Sequence, residues 1–296
     1  MKALVFGSLN IDKVYSLNKL PEKGETLYCT DYELHVGGKG LNQSLSLKKA
    51  GMNVYFAGKI GKDGTHLTDY LNANGVDTSL VKFSDGFTGH AVIEVDRDGQ
   101  NQMILFPGAN KEITEKECDD ILSSFDKGDL ILMQYETSCV EYMIRKAKEK
   151  GMLTALNPSP FTNELKSLPY GLIDFLILNE TEGTALTDTD ETDDALTALC
   201  KLCPGKIIYT LGGDGAVYSD GETTVKVPAF KVKAVDTTGA GDTFTGYVLT
   251  ALISGKSPDE ALRFSSAASA LAVQKAGAAE TIPDKKEVEE FYYENI

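Results

Sequence analysis

The chain has 296 residues, 42% of them hydrophobic, and carries 44 acidic against 29 basic residues for a formal net charge of −15. A chain of this size can bury one large core, so we expect a single domain over residues 1–296. The negative charge, without any basic run, disfavours nucleic acid and anionic membranes as partners and leaves a small-molecule ligand as the default.

The start of the chain and its cysteines predict where the protein works. Residues 1–6 enter a strand-like run without the layout of a signal peptide, and no apolar stretch approaches the ~18 residues of a membrane span. The five cysteines are odd in number and scattered, which is typical of reduced thiols. We therefore expect a cytoplasmic protein.

A short apolar strand over residues 3–6 is followed by the sequence Gly-Ser-Leu-Asn-Ile-Asp. Polar groups at the carboxyl end of a strand in an open α/β sheet commonly face the ligand crevice, so Asn10 and Asp12 can hydrogen-bond one small polyol. A simple turn explains Asn and Asp equally well. Residues 13–32 hold Pro-Glu-Lys-Gly and several β-formers, which predicts strands around a turn that project from the main sheet.

A glycine-rich turn follows at residues 35–43, with the sequence His-Val-Gly-Gly-Lys-Gly-Leu-Asn-Gln. Apolar residues at helical spacing come next, so the turn begins a helix, and Lys39 and Asn42 can point into the same crevice as Asp12. The chain contains no G-x-x-x-x-G-K-[ST] sequence, which excludes the phosphate loop of P-loop enzymes.

The middle of the chain alternates between strand and helix patterns. A βα unit is predicted at residues 54–60 and 64–74, and residues 88–95 and 102–106 flank an Asp-Arg-Asp-Gly hairpin turn, which can pair with the earlier projecting strands as a lid. Further strands are predicted at 129–133, 153–157, 175–178 and 207–211, and helices at 140–150, 184–187 and 193–202. This alternation indicates a parallel sheet covered by helices.

Polar residues or glycines follow four of these strands: Gln134 with Glu136, Asn157, residues 179–182, and residues 210–215. The carboxyl ends of parallel strands gather at one edge of a sheet, as a nucleotide crevice requires. Each segment by itself is an ordinary loop. Glu182 can hold water around Mg²⁺, because this ion keeps most of its waters and takes few carboxylates.

The most informative segment is residues 235–244, with the sequence Val-Asp-Thr-Thr-Gly-Ala-Gly-Asp-Thr-Phe. It is a turn of small residues ahead of a buried-helix pattern over 246–253, so its N–H groups and the helix dipole together predict a phosphate site. Asp242 lies beside that site and can deprotonate a hydroxyl while a phosphoryl group is held within reach. Alternatively, Asp242 only caps the helix.

With these motifs collected, the chain resembles the ribokinases of the PfkB-type sugar kinase family, through GSLNID, GGKGLNQ, TLGGDG, DTTGAGDTF and KAGAAETIP. The resemblance implies a ribokinase-like α/β three-layer sandwich, with a mainly parallel central sheet and a small β-sheet lid formed by about residues 12–35 and 87–108. It also implies ATP-dependent phosphorylation of the 5-hydroxyl of D-ribose. A kinase for 2-deoxyribose, another sugar or a nucleoside is an open alternative, as is a non-catalytic sugar-binding regulator.

The resemblance further implies residue roles. Asp242 matches the general base, and the amides of Gly239, Ala240, Gly241 and Asp242 match an anion hole. The positions that match sugar contacts are Asn10, Asp12, Gly38, Lys39, Asn42, Glu136 and Asp242. Those around the nucleotide are Asn179, Thr210, Gly212, Gly215 and Ser266, with Glu182 associated with Mg²⁺. A monovalent cation, K⁺ as activator, is implied at Asp236, Thr238, Ala272, Lys275, Gly277 and Thr281, largely through backbone carbonyls.

The sequence departs from the pattern of the family at three places. His90 and the pair Phe106-Pro107 lie in the lid hairpin, where smaller or aliphatic residues are expected over the sugar, and Ser266 stands where His or Asn is common near the adenine. The lid strands also present an edge and an apolar face that a small insertion cannot bury alone. We therefore expect a homodimer joined through the lids.

Overall fold

The computed structural model describes residues 1–296 and contains fourteen strands and nine α-helices. The strands are β1 (Ala3–Phe6), β2 (Asn10–Ser16), β3 (Asp31–Gly37), β4 (Val54–Ala57), β5 (Lys59–Ile60), β6 (Lys82–Phe83), β7 (Gly89–Val95), β8 (Asn101–Phe106), β9 (Leu130–Gln134), β10 (Leu153–Asn157), β11 (Phe175–Asn179), β12 (Lys206–Thr210), β13 (Ala216–Ser219) and β14 (Thr224–Val227). The helices are α1 (Lys39–Ala50), α2 (Thr65–Ala73), α3 (Glu115–Leu122), α4 (Val140–Glu149), α5 (Glu180–Thr187), α6 (Thr192–Leu202), α7 (Ala240–Ile253), α8 (Pro258–Ala272) and α9 (Lys285–Asn295). No helix is long and apolar enough to cross a membrane.

Eight strands form the central sheet, in the order β14-β13-β12-β11-β10-β9-β1-β4. The pairs from β4 through β12 are all parallel, and only β13 and β14 join in antiparallel fashion at one edge. The inner strands are buried on both faces, as expected for parallel strands covered by helices.

Side chains that alternate along the strands divide the core into two layers. Val5 and Leu132 pack with apolar residues of α1, α7 and α8 on one face of the sheet, whereas Leu4 and Ile131 pack with those of α3, α4 and α6 on the other. The helix–sheet–helix arrangement confirms the predicted three-layer sandwich with a mainly parallel central sheet.

A separate four-stranded sheet, in the order β3-β2-β7-β8, is the predicted lid. Its two central strands are parallel, with Asp12 beside Ala91, and Asp12 also faces His35 across the antiparallel pair of β2 and β3. The edge strand β8 is exposed along its whole length. The lid therefore starts directly after β1, so that its first strand carries Asn10 and Asp12 over the end of the central sheet.

The chain differs from the sequence prediction at several helices. Helix α5 begins at Glu180, four residues before the predicted start, because Asn179 and Glu182 form a capping box that fixes its first turn. The helices α3, α8 and α9 and the β13–β14 hairpin were not predicted. Helix α8 also begins with a capping box, formed by Ser257 and Glu260, with proline at the first helical position.

Candidate active site

The carboxyl ends of the central strands meet the N-termini of two helices at one edge of the sheet. Helix α1, which follows the first glycine-rich turn, packs directly against α7, which follows the second, and Ser46 Oγ donates to the carbonyl of Thr243 at 2.6 Å. A Cβ at Gly246 would overlap Ser46, so only glycine permits this close approach of the two helices. The two turns predicted from sequence therefore face one crevice.

Asp242 lies in the first turn of α7 and is buried, with 7% of its surface exposed. Its Oδ2 accepts a hydrogen bond from Asn42 Nδ2 at 3.1 Å, and its Oδ1 accepts one from Gln43 Nε2 at 2.8 Å. The N-cap of α7 is Gly239, in the left-handed region at φ 74, and it receives no side-chain hydrogen bond. The carboxylate is thus held by side chains of α1 and does not cap its own helix.

Behind Asp242 lies a chain of buried amides, Gln43, Gln134 and Asn157, which we call the amide network. Gln134 Nε2 donates to Gln43 Oε1 at 2.6 Å, and Gln43 Nε2 donates to Asn157 Oδ1 at 2.8 Å as well as to Asp242. Asn157 in turn donates to the carbonyl of Ile177 at 2.9 Å. Sequence analysis placed Gln134 and Asn157 at strand ends but gave no role to Gln43.

The main-chain amides at the start of α7 differ in their availability. Gly239, Gly241 and Asp242 donate their N–H groups to no protein atom, whereas the N–H of Ala240 donates to the carbonyl of Thr237 at 3.2 Å. Three of the four predicted anion-hole amides are therefore free to meet a phosphate, and the fourth is engaged in the turn.

We call the part of the crevice beneath the lid the lid end; it holds Asn10, Asp12, Lys39, Asn42 and Glu136. Glu136 accepts a hydrogen bond from the main-chain N–H of Lys39 at 3.1 Å and another from the hydroxyl of Ser8. Asn10 Oδ1 accepts a hydrogen bond from Asn110 Nδ2 at 2.8 Å. Ser8 and Asn110 were missed by sequence reasoning, because only the fold brings them to these partners.

The charges at the lid end are close enough to affect one another. Burial and the neighbouring Glu136 carboxylate raise the pKa of Asp12 to about 6. Burial alone would lower the pKa of Lys39, but the carboxylates of Asp242, Glu136 and Glu182 outweigh it, so that this pKa is raised. Lys39 is therefore a fixed positive charge between the two ends of the crevice.

The paired glycines before α1 are required by the backbone and by Asp12. A Cβ at Gly37 would overlap the Asp12 carboxylate, and Gly38 has a φ of 99 with its would-be Cβ 2.9 Å from the carbonyl oxygen of Ser8. Larger residues at either position would displace β2 and its carboxylate.

Two cavities lie along the crevice, and Asp242 lines the second of them. A lid-end cavity of about 390 Å³ is lined by Asn10, Asn110, Glu136, Tyr135 and Phe106 among others. A second cavity of about 230 Å³ contains Lys39, Glu182, Gly239 and Asp242 and continues toward β12. Pockets of this size hold small polar ligands.

Beyond Thr210 the crevice opens into a groove of about 410 Å³, which we call the groove end. Its lining is mostly apolar and small, and comprises Thr210, Gly212, Gly213, Gly215, Ala229, Phe230, Val232, Ala234, Phe244, Ser266, Ser269, Ala270 and Val273 together with Asn179 and the start of α7. Thr210 Oγ1 makes only a long contact, 3.4 Å, with the carbonyl of Leu178, and the hydroxyl of Ser266 makes none. Sequence analysis found the loop glycines here but missed Phe230 and Val273.

Asn179 and Glu182 lie between the two ends and bind each other. Asn179 Oδ1 accepts the N–H of Glu182 at 2.9 Å, and Glu182 Oε2 accepts the N–H of Asn179 at 3.1 Å. The remaining carboxylate oxygen, Oε1, has no protein partner. The structure contains no group of three or more His, Cys, Asp or Glu side chains that could hold a metal ion. The free Oε1 of Glu182 can accept hydrogen bonds from waters around a Mg²⁺, which takes few carboxylates.

The predicted cation residues lie on two segments that contact each other. Asp236 accepts hydrogen bonds from Thr238 N at 2.9 Å and from Gly277 N at 3.0 Å, and Val235 N donates to the carbonyl of Val273 at 2.7 Å. Partial burial would raise the pKa of Asp236, but the hydrogen bonds that it accepts from the Thr238 hydroxyl and from the N–H groups of Gly277 and Thr238 outweigh burial and lower this pKa. The carbonyl oxygens of Asp236 and Thr238 accept no hydrogen bond, which fits a cation bound by main-chain carbonyls.

Comparison with known proteins agrees with this geometry. The profile described as "pfkB family carbohydrate kinase" matches residues 1–285. The ribokinase of Haemophilus influenzae is 36% identical over 300 residues, covering 97% of each chain. Among solved structures, the ribokinase of Thermotoga maritima superposes with a TM-score of 0.88 at 32% identity, covering 99% of each chain. That of Arabidopsis thaliana, complexed with ribose and ATP, superposes with a TM-score of 0.87 at 32% identity, covering 98% of each chain. The chain belongs to the pfkB family of carbohydrate kinases.

Proposed function

We propose that this protein transfers the γ-phosphoryl group of ATP to the 5-hydroxyl of D-ribose. The observation that carries the proposal is the buried Asp242 carboxylate, which accepts a hydrogen bond from Asn42 of the lid end, lines the cavity that adjoins the groove end, and lies beside free amides of α7. The resemblance to a ribokinase that was crystallised with ribose and ATP supports the choice of both substrates.

In the proposed reaction the acceptor hydroxyl attacks the γ-phosphorus as the bond from that phosphorus to the bridging oxygen of ADP breaks. The hydroxyl proton passes to Asp242, which takes it late, when the hydroxyl becomes more acidic as its bond to phosphorus forms. The free N–H groups of Gly239, Gly241 and Asp242 stabilise negative charge on the transferred group.

At the lid end, polar side chains bind the sugar hydroxyls. Asn10 and Glu136 line the lid-end cavity, and Lys39 lines the second cavity. Asp12 and Glu136 accept hydrogen bonds, Asn10 and Asn42 donate or accept them, and Lys39 donates while its charge also faces the transferred phosphoryl group. Gly38 lets the backbone approach the sugar. Because an unpaired buried polar group costs more than a missing apolar contact, a sugar that lacks one hydroxyl is disfavoured.

At the groove end, the adenine lies between small and apolar residues, with Gly212, Gly215, Ser266 and Thr210 around it. Asn179 and Glu182 lie toward the phosphates, and Glu182 is positioned to accept from waters on Mg²⁺. When bound, Mg²⁺ neutralises charge on the β- and γ-phosphate oxygens.

A monovalent cation is part of the same proposal, through the carbonyls of the 236–238 loop and the segment that contains Ala272, Lys275, Gly277 and Thr281. Such an ion would hold the neighbouring amides of α7 in their anion-binding geometry. We expect K⁺ to raise activity above Na⁺ in an assay at matched ionic strength; equal rates in the two salts contradict this site.

We further propose a cytoplasmic homodimer, since ATP is a cytoplasmic substrate and the lid edges carry exposed apolar side chains. Leu34 on β3 is 58% exposed and Ile104 on β8 is 70% exposed, so that a second lid would cover both edges. Light scattering at micromolar concentration tests the assembly, and a monomer contradicts it.

A phosphorylation assay over ribose, 2-deoxyribose, hexoses and nucleosides tests the function. Ribose is expected to give the highest kcat/KM, because Asp12, Asn42 and Glu136 present more hydrogen-bonding groups than 2-deoxyribose can satisfy. Faster turnover of a hexose or nucleoside rules out the proposed acceptor, and binding without turnover of any sugar identifies a regulator instead of a kinase.

A further inference from the structure

The amide network behind Asp242 has a direction that the carboxylate itself imposes. An ionised carboxylate only accepts hydrogen bonds, so the group of Gln43 that faces Asp242 must be its NH₂. Gln43 Oε1 then faces Gln134, which must in turn present its own NH₂, at 2.6 Å. Both hydrogens of Gln43 Nε2 are used, one on Asp242 Oδ1 and one on Asn157 Oδ1, each at 2.8 Å.

The network is anchored on rigid elements. Gln134 and Asn157 are the last residues of the neighbouring strands β9 and β10, where they are paired in register, and Asn157 donates to the carbonyl of Ile177 on the next strand. Gln43 itself is fully buried on α1. Turning the Gln43 amide over would break its hydrogen bonds to Asp242 and Asn157 and set its Oε1 against an oxygen of each. Gln134 could turn with it, because its Oε1 is buried without a partner, but Asn157 is held by the carbonyl of Ile177.

Asn42, which holds the other carboxylate oxygen, has no such constraint. Its Nδ2 donates to Asp242 Oδ2 at 3.1 Å, but its Oδ1 is buried without a hydrogen-bond partner. The Asn42 amide can therefore turn at small cost and present its own Oδ1 to a protonated Oδ2 of Asp242. The Gln43 amide cannot turn in the same way toward a protonated Oδ1 of Asp242.

From this asymmetry we infer that Gln43 is a positioning residue. It fixes the Asp242 carboxylate and leaves Oδ2 of Asp242 as the oxygen that takes the proton of the sugar hydroxyl. The inference rests on the proposed kinase function. The hydroxyl O–H bond breaks, its proton becomes bonded to Oδ2, and the oxygen forms the new bond to phosphorus. Gln43 remains a donor to Oδ1 before and after the transfer and touches no substrate.

Two substitutions at Gln43 separate positioning from packing. Gln43→Leu removes the donor to Oδ1 at similar volume, and we expect kcat to fall by about 10- to 100-fold while KM for the sugar changes less than about threefold. Gln43→Glu is closer in shape but sets two carboxylates against each other. The two carboxylates then share a proton, so a higher pH is needed before Asp242 can act as a base. The acid limb of the pH–rate profile should therefore move to higher pH by at least about one unit.

Gln134→Leu offers a variant one step further from the carboxylate. It leaves the Gln43 donors in place but no longer fixes their orientation, so we expect a smaller loss of kcat, about 3- to 10-fold. Gln100→Leu, in the exposed lid turn, is the matched control and should retain wild-type kinetics. Circular dichroism melts establish that each variant folds, and calorimetry establishes that it binds sugar and ATP.

Failure of this inference can be told apart from failure of the proposed function. The panel of acceptors, assayed with the wild-type protein, tests the kinase function first, and the best sugar from that panel is then used for these variants. Lower kcat with unchanged sugar KM, together with the shifted acid limb in Gln43→Glu, supports the inference. Wild-type kcat in Gln43→Leu overturns it. So does a parallel loss of kcat, sugar binding and melting temperature in all three variants without a shifted limb, since that pattern identifies a packing role.

Discussion

The two ends of the crevice are built by different means. At the lid end, polar side chains hydrogen-bond in pairs, Asn10 with Asn110 and Glu136 with Ser8. The adjoining carboxylate of Asp242 is held by both Asn42 and Gln43. At the groove end, glycines, apolar side chains and capped helix termini make the surface, and neither Thr210 nor Ser266 makes a strong side-chain hydrogen bond. We therefore expect ligand recognition to depend on side-chain identity at the lid end and on shape and backbone at the groove end.

This difference predicts unequal sensitivity to substitution. Removing one partner from a buried hydrogen bond costs about 1–3 kcal/mol, and more when the group is charged, whereas trimming an unbonded hydroxyl from an apolar groove costs little. Single substitutions should therefore have large effects at the lid end and small effects at the groove end.

The largest effect is expected for Asp242→Asn, which keeps the volume of the side chain but cannot take a proton. Its Oδ1 can still accept from Gln43, and its NH₂ can donate to Asn42 Oδ1 once that unpartnered amide turns, so the fold and both ligand sites should persist. We expect kcat to fall by about 10²- to 10⁴-fold, as for loss of a general base, with ribose and ATP still binding by calorimetry.

A variant that keeps kcat within about threefold, which is under ~1 kcal/mol of barrier, contradicts the role of Asp242 as base. A variant that loses ribose binding as well would instead place this carboxylate among the groups that recognise the sugar in the ground state.

A smaller loss is expected for Asp12→Asn, which removes a half-buried charged acceptor from the lid end. Hydrogen bonds to charged groups are worth about 1.5–3 kcal/mol, so kcat/KM for ribose should fall by about 10- to 100-fold. KM for ATP should not change, because Asp12 lies under the lid and away from the groove end. Steady-state kinetics with each substrate varied in turn measure both constants, and an equal rise in KM for ATP would contradict the separation of the two ends.

The same variant should be more stable at neutral pH. The pKa of Asp12 is raised from 3.8 to about 6, so the native state binds this proton more tightly than the unfolded chain does. The stabilisation from that proton is present below about pH 4 and is lost as the pH rises through about 6. Asp12→Asn should therefore melt about 2–4 °C above wild type at about pH 7.5. This advantage should shrink to about a third at about pH 4.5 and disappear at about pH 3, below the pKa of the unfolded chain. A difference that stays constant across these pH values would refute it.

Sequence reasoning could predict the fold and both glycine-rich turns because these depend on local patterns. Buried strands such as β9 and β10 are short apolar runs, and the small residues of the turns mark where helices α1 and α7 begin. The polar helix α9 and the short α3 lack such a strong pattern, and the β13–β14 hairpin follows a loop that was interpreted only as a nucleotide contact. Their positions depend on packing against the sheet.

Contacts between distant parts of the chain were harder to predict. Gln43 and Asp242 are 199 positions apart, and Gln43 and Asn157 are 114 apart, so their hydrogen bonds follow from the strand order and from the packing of α1 on α7. Ser8 and Asn110 escaped notice for the same reason. A buried glutamine within a glycine-rich turn and a polar residue at the end of each neighbouring strand are the signals that could have indicated the network.

The smallest effect is expected for Ser266→Ala at the groove end. Ser266 is buried on α8 and lines the groove, but its hydroxyl makes no hydrogen bond, and Ala fits the same space in a helix. KM for ATP should therefore change by less than about threefold. Ser266→Leu is the matched contrast, because added methyl groups enter the groove and should raise KM for ATP by more than about tenfold at constant kinetics for ribose. If Ser266→Ala itself raised KM for ATP by about tenfold, the nucleotide would be recognised through this hydroxyl, and the groove end would depend on side-chain identity as the lid end does.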